Sequence, residues 1–212
     1  MEILVGFIVF VFGAIIGSFL NVVALRYNTG ATIGGRSRCF SCGKTLRWYE
    51  LIPLASFLIQ GGKCRACKSK ISWQYPLVEF MTGLLFVLTY IYLSPFIYGF
   101  LAYIFYLIIE SLLMVITVYD FRHKIIPDGL VYTFALFSLG AIFIPAIHPA
   151  HYTLSDLLAG PILFLPFFCL WFFSRGKWMG LGDGKLALGI GWLLGLVYGI
   201  SAIILGFWIG AG

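Results

Sequence analysis

Apolar residues run along this chain in six long stretches separated by shorter polar ones, the pattern of helices that cross a bilayer. A membrane-crossing helix needs about 20 mostly apolar residues. Residues 3–25, 76–93, 96–119, 129–147, 154–174 and 186–209 answer to that description. Ser94-Pro95 separates the second stretch from the third, and the segment from Pro145 to Pro149 closes the fourth. The first stretch lacks a basic start and a small-residue cleavage site, so it reads as a retained helix and not a removed leader. The expected fold is an all-α polytopic bundle of at least six transmembrane helices. Its parts are a first helix at 1–25, a polar insert at 26–75 and a transmembrane core at 76–212.

Composition agrees with that pattern. Of 212 residues, 61% are hydrophobic and only 10% charged, against roughly a quarter charged in a soluble domain. Aromatic residues reach 18%, as expected where Trp and Tyr sit at headgroup level. A net charge of +6 invites a nucleic-acid partner, but its placement argues otherwise. Nine of the 14 Lys and Arg fall between the first and second stretches, two follow the third and three follow the fifth. With six alternating spans, all three segments face one side, which the positive-inside rule makes the cytoplasm. The basic charge thus has a topological explanation. The lipid bilayer is the expected surrounding, and no nucleic-acid partner is expected.

The insert carries two CxxC pairs, Cys39/Cys42 and Cys64/Cys67, separated by 21 residues. Such spacing lets four thiolates surround one tetrahedral zinc ion, a closed site that fixes a loop and catalyses nothing. Basic neighbours such as Arg38, Lys44 and Arg65 favour thiolate over thiol. Two disulfides are the alternative, which a reducing cytoplasm opposes. Cys169 lies inside an apolar stretch and reads as a buried small residue.

Only eight residues are acidic. Glu79 and Glu110 lie within predicted spans, where acids are costly. Asp120 ends the third stretch, Asp128 follows Pro127 at the head of the fourth, and Asp183 sits in Gly180-Leu181-Gly182-Asp183-Gly184-Lys185. Taken singly, Asp183 reads as a helix-start acid and Asp120 as a partner of Arg122 or Lys124. The topology, however, puts Asp120 and Asp183 at one membrane level. Two carboxyls that meet there share a proton and can hydrolyse a peptide bond, one activating water and the other protonating the carbonyl. The surrounding glycines admit an extended backbone.

These residues, with several others, resemble the type IV prepilin peptidases, aspartic proteases of pilus assembly and type II secretion. The resemblance rests on Gly17-Ser18-Phe19-Leu20-Asn21 with Arg26, and on residues 39–72 including Trp48-Tyr49-Glu50-Leu51-Ile52-Pro53. It continues in Tyr75-Pro76-Leu77-Val78-Glu79, in Asp120 with Ile126-Pro127-Asp128, and in Met179 through Leu186. It implies that Asp120 and Asp183 are catalytic, with Pro127, Asp128, Gly180, Gly182 and Lys185 in supporting roles. The implied enzyme works at the cytoplasmic face of the bacterial inner membrane. It cuts the basic leader from prepilins or pseudopilins just after a glycine and N-methylates the new terminus with S-adenosylmethionine. No residue is identified for that cofactor. Members of the family usually continue beyond the sixth span, where this chain ends at Gly212. A presenilin-like intramembrane protease is a second reading of the aspartates, and a transporter or scaffold with a zinc-stabilised loop is a non-enzymatic one.

Overall fold

The computed structural model describes residues 2–30, 32–93, 99–144 and 154–210, and those residues contain helices and no strands. The helices are α1 (Glu2–Arg26), α2 (Ala55–Ile59), α3 (Gln74–Leu93), α4 (Phe100–His123), α5 (Asp128–Ala141), α6 (Leu154–Ser174) and α7 (Leu181–Gly210). Among the described residues five of these, α1, α3, α4, α6 and α7, are by length and composition apolar enough to cross a membrane, although α7 is bent at Gly195. The expectation of at least six spans is thereby lowered. The fourth apolar stretch yields only the 14-residue α5, about 21 Å long against a hydrocarbon core of about 30 Å. The Ser94-Pro95 turn and the Pro145–Pro149 segment lie outside the described residues.

The chain divides into two compact units. The first holds Met1–Ile97 and Tyr103–Tyr119, the second Tyr98–Ala102 and Asp120–Gly212.

In the first unit α1 and α3 lie antiparallel and very close. A Cβ added at Gly13 would come within 2.8 Å of the Gly83 Cα, and one at Gly17 within 2.9 Å of the Glu79 Cα. Without side chains at these positions the two backbones meet, as small residues allow in membrane helices. Asn21, 1% exposed, extends the seam by donating from Nδ2 to the Tyr75 carbonyl at 3.3 Å. Phe86 and Leu93 of α3 pack with Tyr103 and Leu107 of α4, flanked by Val9 and Ile16 of α1. Thr89 also hydrogen-bonds Glu110 between α3 and α4. At its end α1 carries Arg26, whose Nη1 donates to the carbonyls of Thr32, Ile33 and Gly34 at 3.0, 3.1 and 2.9 Å. Those bonds satisfy the cation and fold the chain into the insert.

In the second unit α7 is not one straight rod. Gly195 has φ 73° and ψ 179°, a conformation outside the helical region. A Cβ on Gly199 would sit 3.6 Å from the Gly191 Cα, whereas eight residues of straight helix would separate them by about 12 Å. Phe167 touches Gly184 and also stacks on Phe207 at 6.2 Å between ring centroids. The chain therefore doubles back at Gly195, and residues 196–210 return alongside residues 181–194. Hydropathy had merged two short arms into one span. The first arm runs antiparallel to α6, where Gly191 meets the Ala159 carbonyl and Gly184 meets Phe164 and Phe167. It runs parallel to α5, where Gly189 meets Phe134 and Lys185 meets Asp128. Buried Leu163, Phe167 and Ala187 form the core between α6 and both arms, with Met179, Leu196 and Ile203 packed on it.

Candidate active site and metal centre

Asp120 stands in the last turn of α4. The helix stops at Lys124, which takes the left-handed conformation (φ 56°) and donates its N–H to the Asp120 carbonyl at 2.7 Å. That closure satisfies a terminal carbonyl and sends the chain through Ile125 to Pro127. Pro127 is the extended residue at the start of α5, and its carbonyl receives the Val131 N–H at 3.1 Å. Asp183 lies in the first turn of α7. Both carboxyl residues are partly exposed, and Asp183 experiences the like charge of Asp120. Helix start and helix end thus bring the two aspartates into mutual electrostatic range inside one compact unit.

Two contacts bracket Asp183. A Cβ on Gly182 would lie 2.8 Å from the Ile126 Cβ, so only glycine lets the α4–α5 connection pass this close. On the other side Lys185 donates from Nζ to Asp128 Oδ1 at 2.7 Å and lies 4.8 Å from the Tyr132 ring centroid. Gly182 and Lys185 therefore clasp the loop that leads from Asp120. Pro127 is buried within that loop, Asp128 is exposed at its end, and Gly180 is exposed before α7. Unlike Gly182, Gly180 leaves room for a side chain, since a Cβ there would come no closer than 3.9 Å, to the Gly182 nitrogen.

The four insert cysteines converge. Their Sγ atoms all lie within 4.8 Å of one another, and Cys39 and Cys67 are 3.8 Å apart. Zinc–sulfur bonds of about 2.3 Å in a tetrahedron need sulfurs about 3.8 Å apart, so the thiol set fits such an ion. Each CxxC forms the same turn. Cys39 receives the Gly43 N–H and donates its own to Lys44, while Cys64 receives the Lys68 N–H and donates to Ser69. The residue after each second cysteine is left-handed, Gly43 at φ 70° and Lys68 at φ 60°. The N–H groups of Cys42 and Ser41 hold the Cys39 thiol down to about 6. Cys42 receives the Lys44 N–H, which lowers it, but desolvation and the Cys39 and Cys67 sulfurs push it up to about 11. Four thiols this close resist joint ionisation, and a divalent cation at their centre relieves the conflict.

Two acids matter in ways the spacing did not disclose. Glu50 is buried and ties the first thiol turn to the Trp48–Glu50 turn, accepting from Lys44 Nζ at 3.1 Å and the Arg47 N–H at 2.9 Å. Glu79 accepts the backbone N–H of Leu54 at 2.8 Å, joining the insert to α3. Glu50 reaches back three residues to Arg47, as in a capping box, whereas Glu79 bonds a residue 25 positions earlier that no periodic pattern signals.

Comparison with known proteins places these features in context. Residues 107–212 match the Type IV leader peptidase family, and residues 11–93 match the Bacterial Peptidase A24 N-terminal domain. A "Prepilin leader peptidase/N-methyltransferase" of Bacillus subtilis (strain 168) is 35% identical, over 96% of this chain and 79% of its own. The protein of that name from Klebsiella pneumoniae is 31% identical, over 90% of this chain and 85% of its own. One from Vibrio cholerae is also 31% identical, over 87% and 75%. These matches favour neither a presenilin-like protease nor a transporter or scaffold. No solved structure matches the chain.

Proposed function

The chain belongs to the type IV leader peptidase family, and from that premise we propose that it is a membrane aspartic endopeptidase whose catalytic pair is Asp120 and Asp183. Its substrates are prepilins or pseudopilins, from which it removes the leader peptide, and it N-methylates the exposed amino terminus. The observation that carries the reading is that Asp183, in the first turn of α7, feels the charge of Asp120, 63 residues earlier in the last turn of α4.

Two carboxyls in a partly desolvated setting hold one proton between them. The ionised member takes a proton from water as that water attacks the scissile carbonyl, and the protonated member donates to the carbonyl oxygen. The resulting diol collapses when the acid and base exchange roles and the departing amine is protonated. Gly182 and the Lys185–Asp128 pair keep the loop after Asp120 against the start of α7, and Pro127 stiffens that loop. Arg122, Lys124, Arg175, Lys177 and Lys185, at the end of α4, between α6 and α7 and at the start of α7, support a cytoplasmic orientation for this edge of an inner-membrane protein. Cys39, Cys42, Cys64 and Cys67 would hold a structural zinc, which cross-links the insert. S-adenosylmethionine would supply the methyl group of the second reaction.

Asp120→Asn and Asp183→Asn are each expected to lower leader cleavage by at least about 10³-fold, because neither role can be filled by an amide. The check is incubation of purified protein with a prepilin in detergent, followed by sequencing of the new amino terminus. Full cleavage by either properly inserted variant removes the aspartyl mechanism.

A further inference from the structure

The insert contains an apolar run, Leu51 through Ile59, too short to span a bilayer yet unlike the rest of a polar loop. Its depth can be read from the α1–α3 seam. Asn21 stands level with Tyr75, Gly17 with Glu79 and Gly13 with Gly83. Gly17 lies eight residues inside Leu25, the apolar end of α1, which is about 12 Å of helix. Glu79, at that level, holds the Leu54 N–H at 2.8 Å. Measured on α3 the depth is smaller, since Glu79 lies three residues inside Pro76, about 4.5 Å of helix, so the Leu54 N–H is held at the edge of the apolar zone.

The segment is built for such a place. Pro53 has no N–H. Leu54 donates to Glu79, Ala55 to the Pro53 carbonyl, Ser56 to Ile52 and Leu58 to Leu54. Backbone donors paired in this way tolerate loss of water, the main condition for irregular chain at membrane depth. Beyond Leu54, α2 leaves Leu58 74% exposed and Ile59 73% exposed. Trp73, also 73% exposed, packs its ring on Phe57 at 4.8 Å and immediately precedes α3. These side chains form a face continuous with the first turn of a membrane-spanning helix. Lys63 and Lys70, paired across an antiparallel bridge, follow directly behind it. An apolar face backed by cations matches the headgroup–acyl boundary of an anionic bilayer.

We propose that α2 and Trp73 form an interfacial foot, immersed in lipid, that docks the thiol-bearing insert onto the membrane surface. The occupant of the exposed face is lipid and not a second protein chain. The foot does not depend on the aspartate chemistry, and the test separates the two.

The protein, carrying Asp183→Asn to remove cleavage, is reconstituted in phosphatidylethanolamine/phosphatidylglycerol vesicles with benzoylphenylalanine at Leu58, at Ile59 or at exposed Ser41. After irradiation, adducts are identified by mass. Lipid adducts at Leu58 and Ile59 are expected at least about fivefold above those at Ser41, because only the former sit in the boundary. In unlabelled protein, Trp73→Phe is expected to remove part of the tryptophan emission that lipids brominated near the headgroup quench. Lipid adducts no higher than at Ser41, or adducts chiefly to a second copy or an added prepilin, overturn the proposal. Should the labelled variants fail to insert, unchanged quenching in Trp73→Phe overturns it by itself.

Discussion

At the scale of single residues, the chemistry depends on neighbours that are far away in sequence. Lys185 follows Asp183 by two positions, which points it to another face of α7, where it meets Asp128, 57 residues earlier. With the Asp128 side chain open to its surroundings, an ion pair of this kind adds only about 0–1 kcal/mol to stability, so its value lies in positioning. Lys185→Met is expected to slow leader cleavage by about tenfold or more through misplacement of the acids. Lys185→Arg should retain most of the rate, since a cation still reaches Asp128. Single-turnover rates for the two variants, with folding checked by thermal unfolding in detergent, test this. Glu50 offers a pH-dependent counterpart. The Arg47 N–H, opposed by burial and aided by Lys44, holds its carboxyl below the ordinary carboxylate range. The folded value is below the unfolded one, so the stabilisation is present above roughly pH 4.3 and is lost as pH falls through the folded value. Glu50→Gln should therefore weaken the insert at neutral pH and flatten its acid-side loss of stability, as followed by limited proteolysis across pH. The aspartates and cysteines were legible in the sequence because their motifs are local. Glu79 was not, because its partner Leu54 is brought to it by folding, and the bonds of Glu50 are local but belong to a three-residue turn that carries no periodic signal.

At the scale of elements, glycines do two different jobs. Along α1, Gly17 is needed for closeness, since an added Cβ would meet α3 backbone at 2.9 Å. In α7, Gly195 is needed for its backbone conformation. Gly17→Ala is expected to cost about 1–3 kcal/mol through overpacking, and Gly195→Ala a similar amount because its φ/ψ region is essentially restricted to glycine. Gly206, in the return arm with open space around its missing Cβ, is the control. Gly206→Ala should be neutral or stabilise by up to about 1 kcal/mol. Thermal unfolding of the three variants in one detergent separates these cases. The apolar stretches announced where helices begin and end within a few residues, but α5 came out short and the last stretch came out as a hairpin. A hydropathy window registers transfer to lipid and carries no information about a reversal of direction inside an apolar run.

At the scale of the whole molecule, the chemistry divides between the two compact units. The thiol cluster belongs to the first and the aspartate pair to the second. Removing zinc should therefore affect the insert more than the peptidase chemistry. Replacing Cys39, Cys42, Cys64 and Cys67 by Ser is expected to abolish binding of about one zinc per chain and open residues 30–73 to protease, because metal affinity in such sites is folding energy. Leader cleavage should fall by less than about tenfold if the metal only cross-links a loop. Metal analysis, proteolysis and cleavage rates on the same preparation supply the three readings.

What the sequence determined by itself was the apolar setting of the chain, its helical class and the family to which it belongs, together with the four thiols that converge. Each follows from composition or from groups a few positions apart, where chain geometry leaves little freedom. Tertiary structure decided the turn at Gly195, the clasp of Gly182 and Lys185 around the loop after Asp120, and the depth to which Glu79 draws Leu54. The clasp and the depth are contacts between segments tens of residues apart, and the turn at Gly195 reverses an apolar run whose arms are held by packing on α6; their geometry exists only once the helices have packed.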